Sequence, residues 1–366
     1  VTPEVSFVDG DFLFRLAGPD DEPELRRLTA TTPMPGAITV TFEREPDYWV
    51  GNLGPCDVLI ARHLPTGDLA GVLCRAPRSA YINGRAEEVG LIGGVRIAGR
   101  FRGNRLLERG LPLFRHIGRS DMLHYGAISS ENPAARRALT ERPTPGFPVV
   151  RRLGGILTLG MVVRRHGRSL PPAAAARAEP EEIADFLARH GPRRQLFPAH
   201  HAADLTGPPA APGLSLEDFV VLRARHDIAA VAGLWDQRAF KQSVVRAYSP
   251  ALRRLRPAHD LAARVVGARP LPAAGEEIAS AYAALVCVAG DDPRVFAALL
   301  RELRRRAAER GLAYLMVGLS QGDPLLRTAR RSLHIPYRSD LFVASWAGDP
   351  LRRLDDRIPH LEIATL

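Results

Sequence analysis

The stretch from Glu87 to Leu107 gathers the residues of this sequence whose types and spacing suit chemistry. Two carboxylates, Glu87 and Glu88, precede an apolar, glycine-punctuated run that reads as a buried strand. A basic turn with Arg100, Arg102, Gly103, Asn104 and Arg105 follows, and from Leu106 and Leu107 a helical pattern runs to about Ile117. A strand that enters a helix through a basic, glycine-containing turn leaves backbone N–H groups free at the helix start. Those donors, the helix dipole and the nearby arginines make a site for a pyrophosphate. Gly90–Gly94 does not form GxGxxG and reads instead as glycines that permit close backbone approach in a bulged strand.

The flanking pattern supplies the elements that hold this stretch. Asp11–Leu16 alternates as a strand, and Asp20 or Asp21 caps a helix through about Leu28. Asp57–His63 and Leu69–Cys74 read as strands joined by Pro65-Thr66-Gly67-Asp68, and Ser79–Arg85 as another strand with Asn83-Gly84 as its turn. Met122–Ser129 is the next strand, Asn132-Pro133 opens a helix, and Phe147–Val163 supplies the final strands. Arg164–Ala178 is basic, then rich in Pro and Ala, and reads as a linker. The pattern then repeats. Asp57–His63 and Leu69–Leu73 correspond to Asp218–Ala224 and Ala230–Leu234, Ile278–Val288 to the central strand, and Pro293–Arg310 to its helix. Gly126–Pro133 corresponds to Val317–Pro324, with the prolines 324 − 133 = 191 residues apart, about half the chain.

Ile97-Ala98-Gly99-Arg100-Phe101-Arg102-Gly103-Asn104 resembles the acetyl-CoA-binding stretch of GNAT (GCN5-related) N-acetyltransferases. Phe101 and Arg102-Gly103 match that pattern, Gly99 stands where Pro is usual, and Arg105 and Leu107 replace its later glycines. With the repeat, the resemblance covers nearly the whole chain and implies an α/β (α+β) protein of two fused GNAT-like domains. Each would have a mixed, mostly antiparallel sheet flanked by helices, at residues 1–165 and 179–366, with 166–178 as linker. The resemblance further implies a CoA-dependent N-acyltransferase whose cofactor is acetyl-CoA or another acyl-CoA and whose second substrate is an amine. Val95, Arg96 and Ile97 would meet pantetheine and the thioester. Arg102, Gly103, Asn104, Arg105, Leu106 and Leu107 would surround the pyrophosphate, and Asn132 would contact the CoA arm or only cap its helix. Glu87 or Glu88 would take the amine proton, or be an exposed acidic pair at a strand start. The helix after Asn132 lacks the tyrosine that family members often carry as acid, so Tyr125 is the substitute unless it is simply buried structure. Phe42–Trp49 falls where the family places a substrate-facing second helix. The alternative is a non-catalytic tandem module that binds a ligand or scaffolds a partner.

The second copy carries Asp291 and Asp292 where phosphates would sit, so it is expected to be degenerate, with these acids capping the helix at Pro293. In some tandem relatives a C-terminal segment enters the N-terminal site; Leu361–Leu366 would do so or form an edge strand. Gly318-Leu319-Ser320-Gln321-Gly322 satisfies a nucleophile-elbow pattern, with Asp340 or Asp355 and His360 as the available partners. Only 366 − 320 = 46 residues follow Ser320, too few for the elements that separate such partners. His200-His201 lacks the spacing of HExxH, and Cys56, Cys74 and Cys287 are spread too far for a zinc or disulfide framework. The formal charge of +10 is carried by arginine, Lys241 being the only lysine. It fits an anionic partner such as CoA or a solvated basic surface, and the arginine clusters lack the interleaved aromatics of a nucleic-acid platform. No leader or bilayer-length apolar run is visible, which gives the expectation of a cytoplasmic protein without a membrane partner, with a homodimer compatible.

Overall fold

The computed structural model describes residues 6–117, 121–141, 145–164, 175–208, 211–265 and 267–366. In the first half the strands are β1 (Ser6–Asp9), β2 (Phe12–Leu16), β3 (Ile38–Glu43), β4 (Asp57–His63), β5 (Leu69–Ile82), β6 (Arg85–Ile97), β7 (Leu123–Ser129) and β8 (Val149–Val162). Then follow β9 (Ala175–Ala176), β10 (Arg194–Gln195), β11 (Phe219–Ala224), β12 (Asp227–Trp235), β13 (Gln242–Tyr248), β14 (Ser280–Val288), β15 (Tyr314–Ser320), β16 (His334–Ser345) and β17 (Ile358–Pro359). The helices are α1 (Glu22–Thr31), α2 (Leu106–Gly110), α3 (Pro133–Thr140), α4 (Pro180–His190), α5 (Pro250–Val265), α6 (Pro293–Glu309) and α7 (Leu326–Ala329).

The duplication read from the sequence reappears as geometry. β4, β5 and β6 run antiparallel to their neighbours and β6 lies parallel to β7. β11, β12, β14 and β15 repeat those directions in the same order. A feature the sequence did not reveal joins the copies. The principal sheet runs β1-β2-β4-β5-β6-β7-β16-β8-β15-β14-β12-β11-β9, so β7 is flanked by β16 of the second half and β15 by β8 of the first. Each parallel pair is therefore closed by the other half's last long strand, and β8 and β16 lie against each other along almost their full length.

Several elements differ from the expected ones. The Ser79–Arg85 strand is the outer part of β5, which turns through Asn83 and Gly84, both at positive φ, directly into β6. The region from Phe42 onward is no helix: Ile38–Glu43 alternates β-branched residues and pairs as β3 with β13 of the second half. The helix after the basic turn is short, because Leu111-Pro112 tightens the chain into a 3₁₀ segment to His116. Of the linker expected at 166–178, residues 166–174 lie outside the described residues, while Ala175–Ala176 pair with β11. Among the described residues no helix is long and apolar enough to cross a membrane.

Beneath the sheet's first half, Arg75 is buried, donates to Asp57 at 2.9 Å and to the Phe114 carbonyl at 3.2 Å, and ties the 3₁₀ segment to β5. Its charge and the burial of His124 (1% exposed) hold that imidazole neutral, with burial the larger effect, down to a pKa of about 4. An unfolded histidine titrates near 6.5, so the unfolded chain binds the extra proton as pH falls through about 6.5 to 4. Stability should fall across that window by on the order of 3 kcal/mol from this residue. Urea unfolding at stepped pH should show that slope in the parent and a flatter profile in His124→Asn; equal slopes would reject the assignment.

Candidate functional site

The parallel pair β6–β7 is bonded only from Val89↔Leu123 to Leu91↔Tyr125. Beyond Leu91 the strands part, although β6 continues to Ile97 and β7 to Ser129. A register shift opposite β5 accompanies the parting: Cys74 faces Gly93, but Val72 faces Arg96. Gly94 absorbs the extra residue at φ +64°, and a Cβ there would lie 2.9 Å from the Cys74 Sγ. The outcome is a slot whose β6 wall, Ile92–Ile97, has no strand paired to its β7 side among the described residues. Backbone donors and acceptors on such a wall can receive an extended amide-bearing ligand as an added strand.

At the slot's mouth the chain passes through Ala98–Arg105 into α2. Arg102, Gly103, Asn104 and Arg105 are exposed there, whereas Leu106 is buried in the core beneath. Gly103 has φ +94° and Arg105 φ +56°. Arg105 thus holds the left-handed conformation that a glycine adopts freely, at a cost of about 1 kcal/mol for an ordinary residue. Arg105 stands where the resembled pattern has a glycine, in a conformation that a glycine would adopt freely. With α2 so short, the loop's own N–H groups and arginines carry more of any anion contact than a helix dipole does. Arg100 is paired with Asp68 at 2.7 Å and Arg105 lies 3.7 Å from Glu108; no ion pair involves Arg102 among the described residues.

The other candidates are placed as follows. Val95 and Ile97 pack their side chains into the core of Phe14, Leu59 and Leu106, so only their main chain faces the slot. Arg96 points to the opposite face with Cys74 and Tyr48. Tyr125 sits where the strands part, 6% exposed, its hydroxyl pKa pushed up to about 12 by burial while Arg78 pulls it the other way. Asn132 caps α3, its Oδ1 accepting from Ala135 N–H at 3.0 Å. Glu87 and Glu88 stand at the closed end of the pair, before Val89, and alternation sends them to opposite faces. Glu88 is exposed, and Glu87 lies 3.5 Å from Arg353. The structure does not bring these two carboxylates together with the slot's mouth.

The second half keeps the same device in filled form. β14 and β15 pair only from Ser280↔Tyr314 to Tyr282↔Met316, and Leu285 takes the left-handed bulge position at φ +54°. There the chain's own tail enters. Leu285 N–H donates to Glu362 at 2.7 Å, and Ile363 packs where a Cβ on Gly318 would lie 2.5 Å away. Leu361–Leu366 forms no edge strand: it packs against the second splayed pair and ends in a 3₁₀ turn, while Leu361 and Ile363 also share a core with Leu91 and Tyr125 of the first pair. Asp292 caps α6 as expected, and Asp291 pairs with Arg194 at 2.8 Å. The nucleophile-elbow pattern has no triad behind it: Ser320 is buried at the end of β15, Asp340 is held by Arg152 at 2.7 Å, and His360 lies near Glu362 and Phe197. No group of His, Cys, Asp and Glu among the described residues could hold a metal ion.

No family model matches the sequence, and no curated protein matches it. Solved structures do. The chain aligns with Saccharomyces cerevisiae N-myristoyltransferase with bound myristoyl-CoA at TM-score 0.62 and 10% identity, over 97% of this chain and 90% of that one. A second structure of that enzyme with myristoyl-CoA gives TM-score 0.63 and 10% identity, over 96% and 82%. The chain has the N-myristoyltransferase fold. That is the GNAT fold in two fused copies, which accounts for the duplicated splayed pairs. A looser likeness, TM-score 0.47 at 10% identity over 91% and 72%, is to a GCN5-related N-acetyltransferase from Anabaena variabilis.

The retained turn at Arg105 yields a direct test. Arg105→Gly should leave the fold intact and stabilise it by up to about 1 kcal/mol, whereas Gly103→Ala should cost about as much. Paired thermal melts check this, and the reverse order would mean that the loop is not held in the left-handed form.

Proposed function

We propose that the chain is a CoA-dependent N-acyltransferase that works through its first half, residues 1–165, with residues 179–366 a degenerate copy that completes and braces the site. The observation that carries this reading is the slot that opens beyond Leu91 and leads to the basic left-handed turn at Gly103 and Arg105. Pantetheine would add to the Ile92–Ile97 edge, with N–H groups of Val95–Ile97 near the thioester carbonyl. Donors fixed there before reaction would stabilise the oxyanion that forms when an amine attacks. The pyrophosphate would rest on the N–H groups of Gly103–Leu107 with Arg102 and Arg105 beside it, and the free amide nitrogen of Asn132 would meet the CoA arm. Tyr125, held protonated by its surroundings, would give its proton to the departing thiolate. Glu87 and Glu88 take no part in this reading.

Acetyl is the favoured group. An apolar cleft lined by Phe14, Leu59, Leu73, Val95, Ile97, Leu106 and Leu107 lies beside the slot and offers about 20 Å³ of free space. That is room for about one water, so a long acyl chain would require the core to move.

Titration calorimetry with acetyl-CoA, followed by turnover on a panel of amines, tests the proposal. Binding with turnover is expected, faster with acetyl-CoA than with myristoyl-CoA. Arg102→Glu should weaken CoA binding at least about tenfold, near 1.4 kcal/mol. Absence of CoA binding would end the acyltransferase reading, unchanged affinity in Arg102→Glu would place the cradle elsewhere, and binding without turnover would favour a ligand-binding module.

A further inference from the structure

A surface helix normally turns its apolar residues to the core and its polar ones to water. Helix α5 (Pro250–Val265) does the reverse. Its inward side carries Arg256 and Asp260. The Asp260 carboxylate accepts from the Leu271 N–H at 3.0 Å, and the Arg256 guanidinium donates to the Leu271 carbonyl at 2.9 Å and lies over the Tyr248 ring. Its other side shows Leu255, Leu261 and Val265 to water, exposed by 63%, 63% and 79%, with Ala258 exposed between them. Steps of three, three and four residues from Leu255 through Ala258 and Leu261 to Val265 keep these side chains on one side of the helix. They form an apolar stripe about 15 Å long.

Arginine accompanies the stripe and acid does not. Arg253, Arg254 and Arg264 are exposed, and among the described residues none of the three forms an ion pair. Asp260 is the only acid of the helix, and it is turned inward, 3.4 Å from Arg256. A second exposed stripe lies close by. Tyr337 stands opposite Thr158, and Thr158 opposite Gly318, so Leu333, Ile335 and Tyr337 of β16 share a sheet face with Tyr314 of β15. Burial, then the nearby Tyr248 and Asp260, raise the Tyr314 hydroxyl to a pKa of about 12, so α5 lies over that same face. Leu333, Ile335 and Tyr337 are exposed, as are Arg331 and Arg338 beside them.

We propose that α5, with the start of β16 beside it, docks the chain on the surface of an anionic lipid bilayer. The apolar side chains enter the boundary between headgroups and acyl chains. The arginines bury their aliphatic stems there and keep their guanidinium groups among the lipid phosphates. A second copy of the chain fits this face poorly, since two such faces would set cation against cation. A nucleic acid would use the arginines and leave Leu255, Leu261 and Val265 without a partner. A helix that lies along the surface buries one side only, so it needs none of the length that crossing a bilayer demands. Membrane contact of this kind is independent of the acyltransferase reading.

Co-sedimentation of the chain with lipid vesicles, in the absence of acyl-CoA, tests this. Vesicles of equal parts phosphatidylglycerol and phosphatidylcholine should bind the chain about tenfold more tightly than phosphatidylcholine alone, and added salt should narrow the difference. Leu261→Ser with Val265→Ser should weaken binding to the anionic vesicles about tenfold at unchanged charge, and Arg253→Gln with Arg254→Gln about as much. All four side chains are exposed, so both double variants should melt with the parent. If a double variant fails to fold, Val265→Ser or Arg254→Gln alone carries the test, with a loss of about threefold. No binding to anionic vesicles, equal binding to both compositions, or binding that either variant retains in full overturns the docking surface. So does self-association in sedimentation velocity that Leu261→Ser with Val265→Ser abolishes, since that gives the face to a second copy.

Discussion

The exchange of β8 and β16 between the halves is the constraint on which the rest depends. A parallel pair that splays cannot close its sheet locally, because the open side needs a strand and the short connections available do not supply one. Each half solves this with the other's terminal strand, so β7 is held by β16 and β15 by β8. The same arrangement makes the halves one cooperative body. β3 pairs with β13, and the β5–β6 turn is locked to the second half where the Gln195 amide bridges Asp355 at 2.6 Å and the Asn83 side chain donates to the Arg353 carbonyl at 2.7 Å. A rigid frame of this kind would hold a slot open without a ligand's help, which is the preorganisation that the proposed acyl transfer requires.

Much of this was legible in the residues, and what was not has identifiable causes. Strand limits such as Asp57–His63 could be read because alternation and turn residues are local signals. The duplication could be read because the turn preceding Pro133 and that preceding Pro324 carry the same local signature. Partner choice between strands has no such signature. β8 and β16 each pair a polar portion with an apolar one that would fit beside either parallel pair, and only the closed sheet decides. The short α2 followed from one residue, Pro112, whose effect the apolar periodicity around it concealed.

The site was legible in part for the same reasons. Arg102 and Gly103 stand out as a motif, but the turn kept at Arg105 is a property of backbone angles that residue identity argues against.

The second splayed pair shows how such a bulge can be met from within the chain. A bulge such as those at Gly94 and Leu285 turns a main-chain N–H away from its ladder, and a buried donor left unpaired costs about 1–3 kcal/mol. In the second half that donor is met from within the chain, by the Glu362 carboxylate, and the space beyond is filled by Ile363. A tail segment has thereby become core, with Ala364 fully buried. The first half repeats the bulge and carries a basic turn after it, and among the described residues no strand pairs with the β7 side of Ile92–Ile97. Two copies under the same geometric demand have met it differently, one with a side chain of its own tail and one with an unpaired strand edge. That asymmetry, more than any single residue, is what supports the proposal that the first half carries the site.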